Sequence, residues 1–231
     1  MDIPEQVSTF VNQNENITFV SDIVPNKSAN WITTESNIPW LLWDDTFPYK
    51  EMAEEARVLY DMGRFVEHRN TQSRGWKSVC IHGMSAEKTN THRYYGFLNE
   101  DDVHYDWTDI VEFCPITVDY FKNSCPYWAK YKRLRFMALE PYGYIEPHTD
   151  SNDGKRGLKA VNYALTNPEK CKFYMEGYGI VPFKEGLAYR LDLGLRHVVV
   201  NLSDEVRFHI IAHVVPKIPE IDQKVIDCYY R

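Results

Sequence analysis

The sequence predicts a mainly β protein, a sandwich or barrel with flanking helices, and three observations carry that reading. From Arg133 onward, short runs rich in β-branched and aromatic residues are separated by Gly, Pro, Asn and Asp clusters. The last run, residues 206–215, alternates strictly: Val206, Phe208, Ile210, Ala212 and Val214 share one face of an extended strand, and Arg207, His209, Ile211, His213 and Val215 share the other. Helical spacing is confined to the first half of the chain.

Taken in order, Tyr49, Met52, Ala53, Ala56, Leu59 and Tyr60 predict an amphipathic helix over 49–60, with Asp44, Asp45 and Thr46 as candidate caps. A second helix is expected from Pro115 to about Asn123, because proline suits a first helical turn and Pro126 lies beyond the end. The strand candidates are RLRFMALE (133–140), LKAVNYAL (158–165), CKFYMEG (171–177), LAYRLDL (187–193), HVVVNL (197–202) and VRFHIIAHVV (206–215). At 231 residues, 44% hydrophobic and 26% charged, the chain fits one domain over 1–231. We divide it into a helical and loop region (1–130), a β core (131–216) and a C-terminal tail (217–231).

Composition narrows the function classes. A net charge of −7 argues against a nucleic-acid partner held by phosphate neutralisation. No run approaches the roughly 18 apolar residues of a membrane span, and the amino terminus lacks a charged and then apolar leader pattern. Five cysteines without a CxxC pair read as free thiols in a reducing cytoplasm. A cytoplasmic protein with a small-molecule partner, and neither nucleic acid nor membrane, is the expectation.

A barrel strand that turns Arg207 and His209 inward needs something polar inside to receive them. Two His-x-Asp triplets occur. His104 and Asp106 sit in an acidic stretch without strand pattern and read as solvated loop. His148 and Asp150 follow a strand-like run and the turn Pro141-Tyr142-Gly143, and residues at i and i+2 of a strand face the same way, so both can reach one ion. His197, at the start of its own strand, is a plausible third ligand. Two imidazoles and a carboxylate are the ligand set of non-haem Fe(II) oxygenases; zinc accepts a similar trio, so the ligand types leave the metal open. Arg207, one strand beyond His197, offers a planar fork to a carboxylate held near that metal. This is the requirement of 2-oxoglutarate, whose keto acid end chelates iron while its far carboxylate pairs with a cation. His68, His82 and His92 have no partner pattern and read as surface; His209 and His213 read either as hydrogen-bonded core or as site residues. Trp76, Trp107 and Trp128 read as packing. Arg133 and Arg135 alternate with apolar residues, so at least one is expected on a solvent face, and either could pair with a substrate carboxylate.

The pieces LEPYGYIEPHTD (139–150) and LDLGLRHVVVNLSDEVRFHI (191–210), the latter with the order His197-x3-Asn201-x-Ser203-x3-Arg207, resemble the aspartyl/asparaginyl β-hydroxylase family of Fe(II)/2-oxoglutarate oxygenases, which includes bacterial cis-hydroxylases of free proline. Phe183-Lys184-Glu185-Gly186 resembles the family's turn before the strand leading to the second His. The resemblance implies a double-stranded β-helix, the jelly-roll or cupin barrel, with 131–216 as the catalytic core, and Fe(II), 2-oxoglutarate and O2 as cofactors. It implies His148, Asp150 and His197 as iron ligands, Arg207 with Ser203 on the distal carboxylate, and Asn162 or Lys159 as a second contact where relatives carry a His. Asp is usual in the family where His213 stands. Animal membrane-bound members lack a carboxylate ligand; Asp150 moves the likeness toward the bacterial enzymes. The expected substrate is therefore a small amino acid or related metabolite whose acid group meets Arg133, Arg135 or Arg156. The alternatives are an Asp, Asn or other side chain in a peptide or protein, or a cupin-like binding module without turnover.

Overall fold

A computed structural model describes residues 3–18, 39–43, 45–69, 73–125, 127–150, 160–217 and Gln223. The elements are α1 (Glu5–Asn14), β1 (Trp40–Trp43), α2 (Tyr49–Asp61), β2 (Val66–Glu67), β3 (Arg74–Gly83), β4 (Asp106–Trp107), α3 (Pro115–Asp119), β5 (Trp128–His148), β6 (Ala160–Ala164), β7 (Cys171–Met175), β8 (Gly179–Ile180), β9 (Ala188–Leu191), β10 (His197–Asn201) and β11 (Arg207–Pro216). Each of the six expected strand runs contains a strand.

The long β5 strand organises the molecule. Its first half pairs antiparallel with β11 on one side and β3 on the other; its second half pairs with β10, which carries β7 and β8. The remaining order runs from β11 through β6 and β9 to β1. The change of neighbours falls at Pro141-Tyr142-Gly143, where Tyr142 adopts a φ of 57° and a Cβ on Gly143 would lie 2.7 Å from the Arg74 carbonyl oxygen. Only a glycine allows β3 and the bent β5 to approach this closely. The strand thus turns from one sheet into the other, and the two sheets of a jelly roll curl around a shared interior.

Three buried clusters follow from this layering. The outer face of the larger sheet, with Leu134, Phe136, Phe208 and Ile210, is covered by Met52, Ala56 and Leu59 of α2 and by Phe121. The interior between the sheets holds Met137, Leu139, Phe173, Met175, Leu191 and Val199. On the outer face of the smaller sheet, Val7 and Phe10 of α1 cover Tyr174, Val198 and Val200. The alternation read in 206–215 is observed: Phe208, Ile210 and Ala212 pack under the helices, and Arg207, His209 and Ile211 face the interior.

Some local expectations need correction. The first 130 residues are more than a helical and loop layer, since β1 extends the sheet beside β9 and β3 pairs with β5 over much of its length. Short β1 gave no usable period, and β3 is buried on both faces, so neither shows clean alternation. Helix α2 has no side-chain cap; its N-terminal neighbour is Pro48, and Asp45 instead accepts a hydrogen bond from the Tyr120 hydroxyl. Asp44 and Pro126 lie outside the described residues. The second helix begins at Pro115 as expected and continues past Asp119 as a π-helical turn to Ser124. Among the described residues, Cys80, Cys114, Cys125 and Cys171 are free and buried, and no helix is long and apolar enough to cross a membrane.

Candidate active site

His148 and His197 end up side by side because they are register partners at the end of β5 and the start of β10. Their ring centroids are 4.3 Å apart. Asp150, two residues beyond His148, is turned toward them by a backbone hydrogen bond from its N–H to the Leu193 carbonyl at 2.9 Å. One ligand-type atom from each of the three residues lies within 4.8 Å of the others, and His148 Nε2 is 3.6 Å from Asp150 Oδ1. Both imidazoles use the same device. His148 Nδ1 bonds the Glu146 carbonyl at 2.7 Å and His197 Nδ1 bonds the Leu195 carbonyl at 2.8 Å. A carbonyl can only accept, so Nδ1 carries the proton in each ring and Nε2 presents a lone pair to the cluster. Burial pushes His197 down to about 4, which keeps it neutral and ligand-competent at neutral pH. Burial opposes ionisation of Asp150, but the Arg69 guanidinium, with Nη2 2.8 Å from Oδ1, helps hold the carboxyl well below its usual range.

Arg207 and His209 open on the same cavity as this trio, together with Phe173, Met137 and Asn162. Arg207 is 7% exposed and lies 5.4 Å over the Phe183 ring. Its Nη2 donates to His209 Nδ1 at 2.7 Å, and no carboxylate pairs with it among the described residues. His209 is neutral, since burial and then Arg207 push its pKa well down. Its Nε2 is buried without a hydrogen-bond partner among the described residues.

Other site residues fall differently from expectation. Ser203 does not reach the cavity. Its hydroxyl donates to Asn201 Oδ1 at 2.6 Å inside the β10–β11 turn, and Asn201 Nδ2 donates to the carbonyls of Leu139, Glu140 and Glu205. The His-x3-Asn-x-Ser-x3-Arg order therefore mixes His197 and Arg207 at the cavity with two residues that build the turn between them. Asn162 lines the cavity; Lys159 and Arg156 lie outside the described residues. Arg133 and Arg135 are on the inner face of β5, opposite His213 and Ile211 of β11. Neither stands on an open solvent face: Arg135 is 4% exposed and Arg133 is half-buried. Strand alternation placed Leu134 and Phe136 on the apolar face correctly, but the other face is the barrel interior. His104 and Asp106 are solvated, as expected, but Asp106 stands in the short strand β4 beside β3 and not in a loop.

His68 and His82 are buried at 2% and 7% exposure, contrary to the surface reading. His82 bonds the Lys132 carbonyl and packs edge-on against Trp107. The partners of His68 are Ser78, Thr89 and Arg135, which are distant in sequence, so no local signal marks it. Arg69 is a residue that sequence reasoning missed. It adopts a φ of 72°, lies 5.3 Å over Trp76 and places Nη2 2.8 Å from Asp150 Oδ1. Trp76 is more than packing; it lines the cavity 5.8 Å from the His148 ring.

A family model described as aspartyl/asparaginyl beta-hydroxylase matches residues 46–216, which is most of the chain. No curated protein matches the sequence. Among solved structures, the chain is similar to a Pseudomonas putida prolyl-4-hydroxylase at 15% identity and a TM-score of 0.46, over 78% of this chain and 93% of that one. It is also similar to a Trichoplax adhaerens prolyl hydroxylase, solved with a hypoxia inducible factor oxygen degradation domain peptide fragment, at 13% identity and a TM-score of 0.47, over 86% and 89%. The matched family span holds β5, β10, β11 and the cavity between them, and the chain belongs to the aspartyl/asparaginyl β-hydroxylase family, a family of hydroxylases that use Fe(II), 2-oxoglutarate and O2.

Proposed function

We propose that His148, Asp150 and His197 hold Fe(II), that Arg207 receives the distal carboxylate of 2-oxoglutarate, and that the enzyme hydroxylates an aliphatic carbon of a small amino acid or related metabolite. The Arg207 guanidinium carries the cosubstrate assignment. It is buried, unpaired with any acid among the described residues, and opens on the cavity of the three ligand groups. A buried cation without a counter-charge is costly. An anion that chelates a metal at one end and meets the guanidinium at the other removes that cost.

Bound iron with its cosubstrate supplies the activation of O2. The chain's own residues do the positioning. The Glu146 and Leu195 carbonyls fix the imidazole orientations, and the fork of Arg207, backed by His209, orients a carboxylate through directed donors. Phe173, stacked on His197 at 5.2 Å, and Met137 give the cavity an apolar wall that keeps bulk water away. The loss of the carboxylate ligand in the membrane-bound peptide hydroxylases, set against Asp150 here, favours a small-molecule substrate.

Anaerobic addition of Fe(II) and 2-oxoglutarate should produce a visible metal-to-ligand charge-transfer band, because the chelate needs an open Fe(II) site. His148→Ala and His197→Ala should each abolish it. Retention of the band in both variants removes the metal assignment.

A further inference from the structure

The inner face of the barrel carries a second buried arginine site that the iron and cosubstrate reading leaves unused. Along β11, Arg207 marks one end and His213 the other, about 20 Å apart at the rise of an extended strand. At the His213 end, Arg135 donates from Nη2 to His213 Nδ1 at 3.3 Å, and from Nη1 to the Thr89 carbonyl at 2.7 Å and His68 Nε2 at 3.3 Å. Arg133 reaches the same Thr89 carbonyl at 3.4 Å. The Arg135 Nε is buried with no hydrogen-bond partner among the described residues, and neither arginine forms an ion pair among them.

A guanidinium has no acceptor, so His68 and His213 must accept, and each therefore offers a neutral ring nitrogen. His68 then donates from Nδ1 to the Ser78 and Thr89 hydroxyls at 2.7 and 3.1 Å. The histidines thus hold the guanidinium in place without cancelling its charge. The same device holds Arg207 at the other end, where His209 is the acceptor. One inner face carries two charged forks held by neutral partners, and a single dicarboxylate cosubstrate can satisfy only the first. The second lies two side chains from the ligand trio: Arg135 touches His68, His68 packs at 4.4 Å on Trp76, and Trp76 packs on His148.

We propose that Arg135 and Arg133 receive a carboxylate of the hydroxylation substrate, whose reacting carbon lies only a few bonds from that acid group. The assignment rests on the iron and cosubstrate reading above. A free amino acid or related small acid is the favoured source of the carboxylate, and an Asp side chain in a peptide is the other source with the same chemistry.

The test measures succinate release by the Fe(II)-loaded protein with 2-oxoglutarate and three sets of probes: the free amino acids, their C-terminal amides, and Asp-containing peptides with amidated ends beside their Asn counterparts. Stimulation by at least one free acid and not by its amide is expected. Stimulation by an Asp peptide and not by its Asn counterpart keeps the carboxylate site and moves its source to a peptide. Equal stimulation by acid and amide, or none by any carboxylate, overturns the assignment. For the stimulating acid, Arg133→Gln and Arg135→Gln should raise KM at least tenfold while the charge-transfer band still forms. Arg133 is the more exposed of the two, so its variant covers the case in which Arg135→Gln does not fold. An unchanged KM in the folded variants, or loss of 2-oxoglutarate binding in them, also overturns it. Absence of the charge-transfer band in the unaltered protein is a separate result and counts against the iron reading itself.

Discussion

Arg207 and Arg135 are each held by histidine rather than by an acid, and that choice of partner leaves the positive charge available to a ligand. An Asp or Glu in the place of His209 would satisfy Arg207 internally and compete with any incoming carboxylate. Losing one charged, hydrogen-bonded partner of a buried carboxylate costs about 2–5 kcal/mol. Arg207→Ala should therefore weaken 2-oxoglutarate binding at least about tenfold while Fe(II) still loads, as read by titration of the charge-transfer band against cosubstrate. Unchanged affinity would put the distal carboxylate elsewhere. Ser203, which the motif order alone assigned to the same carboxylate, points into the turn and not the cavity. Ser203→Ala is expected to keep cosubstrate affinity within about threefold, the scale of one neutral hydrogen bond; a loss as large as that of Arg207→Ala would return Ser203 to the site.

At the scale of elements, the β10–β11 hairpin and the bend of β5 are one unit, joined by Asn201. Its amide donates to the Leu139 and Glu140 carbonyls just before the bend and to Glu205 across the turn, and the residue is fully buried. Asn201→Ala leaves those carbonyls without their side-chain donor, at a cost of about 1–3 kcal/mol for a buried unsatisfied group. The urea midpoint should fall accordingly, and 2-oxoglutarate affinity should fall with it, because the same turn aims Arg207 into the barrel. A lower midpoint with unchanged affinity would separate the hairpin from the site. The alternation of 206–215 was enough to assign the faces of β11, because one face is wholly apolar. β3 had no such signature: it is buried on both sides, and its partnership with β5 joins residues far apart in sequence.

At the scale of the whole molecule, burial of histidine makes stability depend on acid. His68, His82, His197, His209 and His213 all have pKa values pushed below the ordinary histidine value, with burial the largest cause in each. In the unfolded chain these rings take up protons near pH 6.5, whereas in the fold they resist. Below that pH the unfolded state binds more protons, so stability is full above about 6.5 and falls as pH falls. Each ring contributes about 1.4 kcal/mol per pH unit until its folded value is reached, which for His197 is about 4. The urea midpoint of the metal-free protein should therefore fall between pH 7.5 and 5.5. A midpoint that stays level over that range would mean that the interior admits water to these rings.

The sequence by itself determined the strand-rich second half and the faces of the last strand, and it singled out His148, Asp150, His197 and Arg207 as the site candidates. Those features rest on short-range rules: period-two alternation, the i, i+2 geometry of a strand and the chemistry of the side chains. Tertiary structure decided the rest. It buried His68 and His82, turned Arg133 and Arg135 inward, drew Ser203 into a turn and placed Arg69 on Asp150. Ser203 finds its partners two residues away, in Asn201 and Glu205; the other outcomes depend on contacts between segments apart in sequence, where a polar residue on the inner face of a closed sheet has the same local pattern as one facing water.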